Sequence, residues 1–139
     1  METIKEIQAG IIEDFEMFDD WMQKYEYLID LGKELTPIEE KYKIEDSLIK
    51  GCQSRVWLHA EKQDDKIIYT ADSDAIMTKG IIAILINVLS NQKASEIISA
   101  DLKFIDAIGL KEQLSVTRAN GLVSMIKKMK LYALALNNK

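Results

Sequence analysis

Cys52 is the only cysteine of the chain and His59 the only histidine, so these two residues bound the chemistry on offer. Cys52 stands in Leu48-Ile49-Lys50-Gly51-Cys52-Gln53-Ser54-Arg55-Val56-Trp57-Leu58, with a glycine before it, two polar residues after it, and β-type residues beyond. Three functional chemistries compete. A Cys–His hydrolase needs the imidazole within hydrogen-bond reach of the sulfur. On one strand the two residues lie on opposite faces, roughly 23 Å apart at about 3.3 Å per residue, so only a bent loop brings them together. A metal or iron–sulfur site needs three or four thiolate or imidazole ligands, more than one cysteine and one histidine supply. A dithiol redox cycle within the chain needs a second cysteine. What remains is single-thiol chemistry, in which the thiolate attacks sulfur on another molecule. The plain alternative is a small buried hydrophobe. Gly51, Gln53 and Ser54 are not core residue types, and a loop hinged at glycine can present or withdraw a side chain. Residue types alone leave both readings open.

Other residues offer weaker signals. Asp72 and Asp74 are two neighbouring carboxylates, but an acid–base pair needs a pocket that splits their pKa values. Capping the helix that follows is the simpler expectation. Trp57 on a strand reads as core. Arg118 lies just inside a predicted helix N-terminus, where the dipole disfavours a cation, so it points to a carboxylate or a partner. Asn120-Gly121 interrupts a helical pattern, and Gly121 suggests close approach of another backbone.

The elements that must position these residues follow from periodicity. Ile4, Ile7, Ile11, Phe15 and Phe18 recur at helical spacing between Lys5, Glu6, Glu13 and Asp14. Asp19 or Asp20 caps a second helix with a stripe of Trp21, Tyr25, Leu28 and Ile29, and Gly32 is its expected stop. Thr36-Pro37-Ile38-Glu39 reads as a short capped helical start. The segment Arg55 to Glu61, the polar turn Lys62-Gln63-Asp64-Asp65 and the segment Lys66 to Ala71 predict a β-hairpin. A hairpin alone is marginal, so a third strand is expected, drawn from the region before Gly51. Ala75 to Leu89 predicts a helix apolar nearly all round past Gly80, hence a central buried one in which Gly80 packs against another backbone. Short helical pieces follow around Ala94 to Ser99 and Lys103 to Ile108, then a break at Gly109. Ser115 or Thr117 caps a last helix with a stripe of Leu122, Met125, Ile126, Met129, Tyr132 and Leu136 and with Lys127, Lys128 and Lys130 outward. The order of elements predicts an α+β fold: a small antiparallel sheet of about three strands packed against helices.

Bulk properties narrow the class further. At 139 residues the chain is the size of one domain, and 47% hydrophobic with 29% charged residues is ordinary for a globular protein. The net charge of −5, from 18 basic and 23 acidic side chains, argues against nucleic acid as a partner. The longest apolar run, Ile81 to Leu89 broken by Asn87, falls short of the roughly 20 residues of a membrane span. No signal peptide is visible, and a single thiol suits a reducing, cytoplasmic setting. The even spread of charge favours a monomer or a weak homodimer.

Three ordered blocks then carry a resemblance. Gly51-Cys52-Gln53-Ser54-Arg55-Val56-Trp57, Asp72-Ser73-Asp74-Ala75 leading to Lys79-Gly80, and Leu114-Ser115 through Arg118 to Asn120-Gly121-Leu122 resemble the SufE family of sulfur-acceptor proteins, with its CsdE relatives. The resemblance runs over nearly the whole chain, from Trp21-Lys24-Tyr25 and Leu31-Gly32 to the last helix. One departure is Val116, where the family often has proline. The resemblance implies a SufE/IscU-like fold and a persulfide on Cys52. The donor it implies is a SufS- or CsdA-type cysteine desulfurase, whose pyridoxal phosphate belongs to that partner, so this chain needs no cofactor or metal. Stimulation of the desulfurase and delivery of sulfur to a SufBCD-type complex are implied as well. Gly51, Gln53 and Ser54 form the implied docking loop, and Asp74 and Arg118 match family positions near it. Those two are expected to hold the loop's resting position or the docking surface, against the plain readings of a cap and a surface charge. The alternative for the whole protein is a regulatory interaction module in which Cys52 is structural.

Overall fold

The computed structural model describes residues 2–138. Helix α1 (Ile4–Glu16) starts in a capping box: the Thr3 hydroxyl accepts from Glu6 N–H, and the Glu6 carboxylate accepts from Thr3 N–H. Helix α2 (Trp21–Glu34) is capped by Asp20, whose Oδ1 accepts from Gln23 N–H. Gly32 does not stop α2. It lies inside the helix, where a Cβ would come within 3.0 Å of Gly80 N on helix α3 (Ile76–Leu89). Gly80 in turn faces the Leu28 carbonyl, with no room for a methyl group. The two glycines let α2 and α3 approach backbone to backbone, and α3 is buried from Gly80 to Leu89 except at Asn87.

Thr36-Pro37 does not begin a helix. Pro37 forms an isolated parallel bridge to Ala71, and 3-10 turns follow at Glu40–Tyr42 and Glu45–Ser47. Strands β1 (Val56–Gln63) and β2 (Lys66–Ser73) pair antiparallel, with Val56 opposite Ser73 and Gln63 opposite Lys66. Asp64 turns the hairpin at φ 59°, a left-handed conformation that a short polar side chain tolerates. The third strand is not the region before Gly51. It is β3 (Gln92–Lys93), paired to β2 through Lys66–Lys93 and Ile67–Gln92. The region before Gly51 contributes only a bridge from Leu48 to Trp57, on the outer edge of β1.

The fold is therefore α+β, with sheet order β1-β2-β3. Val56 and Leu58 on β1 and Ile67, Tyr69 and Ala71 on β2 turn one face of the sheet to the core, where Ile82, Leu85 and Leu89 of α3 are buried. Trp57 points the other way. It is half-buried on the outer face, with Lys43 Nζ 5.4 Å from its ring centre. After β3 come three short helices, α4 (Ala94–Ile98), α5 (Phe104–Ala107) and α6 (Leu110–Gln113), and then the long α7 (Val116–Asn137). Ser115 caps α7 by accepting from Arg118 N–H at 3.2 Å. The Tyr69 hydroxyl donates to the Met129 carbonyl at 2.6 Å, which ties α7 to β2. Lys130 does not stay on the outer face, because its Nζ donates to the Ala100 carbonyl at 2.7 Å. Among the described residues, no helix is long and apolar enough to cross a membrane.

Candidate functional site

The cysteine loop is closed at its base by backbone bonds. Ile49 N–H donates to the Val56 carbonyl at 2.8 Å, so the chain leaves the edge of β1 at Ile49 and rejoins it at Val56. Gly51 sits at φ +95°, where any other residue is strained, and a Cβ there would also run into the Ser124 hydroxyl of α7. That turn aims Cys52 at α7. Its Sγ–H donates to the Gly121 carbonyl at 3.7 Å, and a Cβ on Gly121 would stand 3.4 Å from Sγ. The close approach expected at Gly121 is thus made, and the atom that approaches is the thiol sulfur.

A second tie holds the loop's far end. Asp74 Oδ1 accepts from Arg55 N–H at 3.1 Å, and Asp74 N–H donates to the Arg55 carbonyl at 3.3 Å. Asp72-Ser73-Asp74 therefore does not cap α3, whose N-terminus has no side-chain cap. The three side chains are spent elsewhere. Ser73 Oγ accepts from Ala75 N–H at 3.2 Å, and Asp72 receives Lys43 at 2.7 Å and Lys79 at 3.2 Å. Burial works against ionisation of Asp72. The Lys43 and Lys79 ammonium groups and the Ser73 N–H outweigh it and hold the carboxyl below the usual range. That makes Asp72 a structural ion-pair centre between α3 and the chain that follows the 3-10 turn Glu40–Tyr42.

Beside Sγ lies a cavity of about 290 Å³. Ile81, Gly121 and Met125 form its apolar part, and Gln53, Ser54 and Arg118 its polar part. Thr78, Ser115 and Thr117 add hydroxyls. Cys52 is half-buried there, and burial pushes its thiol up from the ordinary value. The resting thiol is thus kept protonated and weakly nucleophilic at neutral pH. His59 is not part of the site. Its ring stacks on Tyr42 at 3.5 Å, and its Nε2 lies 3.0 Å from Glu61 Oε1. No group of three metal-binding side chains occurs among the described residues.

Of the residues singled out from sequence, the fold gathers Cys52, Gln53, Ser54 and Arg118 around one cavity, with Gly51 at the turn before them, against Ser124, and Asp74 at the base of the loop. Thr78, Ile81 and Met125 are not legible as site residues. Their one signal is spacing: Thr78 and Ile81 are three apart on an apolar helix, so a hydroxyl lies on the buried face.

Comparison with known proteins gives the family and the fold. The profile of the SufE family, described as an Fe-S metabolism associated domain, matches residues 9–133. An uncharacterized SufE-like protein of Rhizobium meliloti is 41% identical over 86% of this chain and 89% of its own length. The cysteine desulfuration protein SufE of Wigglesworthia glossinidia brevipalpis is 35% identical over 88% of this chain and 87% of its own. SufE-like protein 1 of Arabidopsis thaliana, chloroplastic/mitochondrial, is 37% identical over 100% of this chain but only 38% of its own length. A solution structure of a hypothetical protein from Thermus thermophilus superposes with a TM-score of 0.80 over 96% of this chain and 97% of that one. At 16% identity that likeness speaks for the fold alone. With a family profile over most of its length and relatives above one-third identity, the chain belongs to the SufE family.

Proposed function

We propose that the protein is a sulfur carrier. Cys52 accepts sulfane sulfur from a pyridoxal-phosphate-dependent cysteine desulfurase of the SufS or CsdA type. Clearing that sulfur stimulates the desulfurase, and the carried sulfur passes to a SufBCD-type complex for iron–sulfur cluster assembly. The observation that carries the reading is the pairing of a lone thiol on a glycine-hinged loop with a cavity that has room beside Sγ for another sulfur atom. The family's link to iron–sulfur metabolism and the relative named for cysteine desulfuration support the same setting. A reducing cytoplasm is the proposed location, resting on the single unpaired cysteine.

The chemistry balances without an external oxidant. The Cys52 thiolate attacks the outer sulfur of the donor's persulfide. The new Sγ–S bond forms as the donor's S–S bond breaks, and the electron pair leaves on the donor's thiolate. The loop supplies the control. Closed, it keeps Cys52 protonated and guards a loaded sulfur from reductants. Open, it exposes a thiolate to the donor. Asp74 holds the closed position through Arg55 N–H, and exposed Arg118 at the mouth offers a guanidinium to the partner.

The test is to incubate the protein with a cysteine desulfurase and labelled cysteine and to look for one added sulfur on Cys52 by mass spectrometry. The expected result is a labelled Cys52 and faster desulfurase turnover. A Cys52→Ser variant that stimulates turnover as fully as the wild type would leave only a regulatory interaction module.

A further inference from the structure

Among the polar groups of the cavity beside Cys52 that the fold does not use, Thr78 is the most buried. Thr78 lies in the first turn of α3, lines the cavity, and is only 8% exposed. Its hydroxyl makes no hydrogen bond among the described residues, and it is not one of the atoms sealed from solvent without a partner, so it opens to the cavity. The local field also points one way. The N-terminal turns of α3 and α7 both border the cavity, and neither carries an acidic residue in its first turn. Arg118 is the one charged side chain in the lining, and no carboxylate joins it. Asp74 and Arg55 stand at the base of the loop, outside the lining. Such a site suits an anion that accepts a hydrogen bond, whereas the protonated thiol of Cys52 is uncharged, a weak acceptor, and already donates to the Gly121 carbonyl.

We infer that Thr78 is a binding residue for the carried sulfur: its hydroxyl donates a hydrogen bond to the outer sulfur on Cys52 and holds it in the cavity as a persulfide anion. This rests on the sulfur-carrier reading above. It adds a second donor, on α3, to the positive charge that Arg118 provides from α7. It also separates two states of one cavity, which is tuned to the loaded sulfur rather than to the empty thiol.

Inorganic polysulfide tests this without any desulfurase. The Cys52 thiolate takes the terminal sulfur, an Sγ–S bond forms as the polysulfide S–S bond breaks, and the shortened polysulfide leaves as the dianion. The loaded protein is then titrated by the near-ultraviolet absorbance of the persulfide anion, and the unloaded protein by its rate of alkylation with iodoacetamide. Thr78→Val, which keeps the shape, is expected to raise the midpoint of the persulfide titration by about one pH unit, a tenfold change. Thr78→Ser should restore it, and the alkylation profile of the unloaded protein should not move in either variant. Thr78→Ala serves as a second apolar variant should valine perturb the helix. An unchanged persulfide midpoint overturns the assignment and leaves the carrier reading intact. So does a shift that serine fails to restore, or one of equal size in the unloaded protein, because then packing and not the hydroxyl is responsible. Where polysulfide does not load Cys52, a cysteine desulfurase with cysteine is the donor, and failure of both to load it would overturn both readings.

Discussion

At the scale of single residues the site works by restraint. Cys52 is not activated in the resting fold, since among the described residues no imidazole or lysine ammonium lines its cavity and burial keeps the thiol protonated. On the carrier reading reactivity depends on how often the loop opens, and Asp74, which accepts from Arg55 N–H, is the side chain expected to set this. Removing one hydrogen bond costs about 1 kcal/mol, or roughly a fivefold rise in an open population. Asp74→Ala is thus expected to speed alkylation of Cys52 by iodoacetamide about fivefold, while Asp74→Asn, which keeps an acceptor oxygen, should stay near wild type. In the wild type the alkylation rate should rise with pH along a curve displaced above that of an ordinary thiol, and Asp74→Ala should move the curve back. Equal rates for wild type and the alanine variant would show that the Asp74–Arg55 tie does not hold the loop. The identity of the thiol is legible from sequence because a unique cysteine between a glycine and polar residues has few alternatives. The partner of Asp74 is not legible. A carboxylate just before a helix can serve the helix or the preceding loop with the same acceptor atom, and only the three-dimensional path of residues 49–56 selects the loop.

At the scale of elements the decisive contact is the crossing of α2 and α3. Gly80 has no room for a methyl group against the Leu28 carbonyl, so Gly80→Ala is expected to destabilise the protein by roughly 2 kcal/mol or more, read as a lower midpoint in urea. Gly10, on α1, has nothing within 4 Å of its missing Cβ, and Gly10→Ala should instead stabilise by up to about 1 kcal/mol through helix propensity. Shifts of the same sign in both variants would rule out a backbone contact as the reason for the glycine in α3. Val116 gives a third case. It is the first residue of α7 and well exposed, and Ser115 before it is extended at φ −60° and ψ 160°, which suits a residue preceding proline. Val116→Pro should therefore raise stability by about 0.4–1 kcal/mol in the same urea assay, and a loss would mean that the turn cannot accept the ring. The hairpin, the central helix and the long C-terminal helix are legible because each buries a face with a clear period. The third strand is not, because two residues carry no period and Gln92-Lys93 is placed by the turn after α3. Gly32 misleads for a related reason: a glycine near the end of a helical stripe looks the same whether it ends the helix or admits another backbone.

At the scale of the whole molecule, two tyrosines join different elements, and both are expected to limit alkaline stability. Tyr69 on β2 is pushed well above its ordinary value by burial, and its hydroxyl donates to the Met129 carbonyl of α7. Tyr27 on α2 is pushed up to about 12 by burial and by donating to the Asp14 carboxylate of α1 at 3.0 Å. Both phenols are therefore held neutral in the folded state. Below the ordinary value of 10.0 the folded and unfolded chains carry the same phenolic protons, and stability does not depend on these groups. Above it the unfolded chain loses protons that the folded chain keeps, so stability must fall as pH rises from 10.0 towards about 12. Lysines that gain a partner on folding, such as Lys43 with Asp72, push in the same direction, so the slope of the wild type alone does not identify its source. The variants do. Tyr69→Phe should cost about 1 kcal/mol at neutral pH, because the Met129 carbonyl loses a donor, yet its stability should decline less steeply in alkali. Tyr27→Phe should flatten the decline as well, and the double variant should flatten it most. The measurement is the urea midpoint at pH steps across the tyrosine range, with tyrosinate absorbance followed in parallel. A double variant whose decline runs parallel to that of the wild type would assign the alkaline limit to the lysine pairs and remove the tyrosines as its cause.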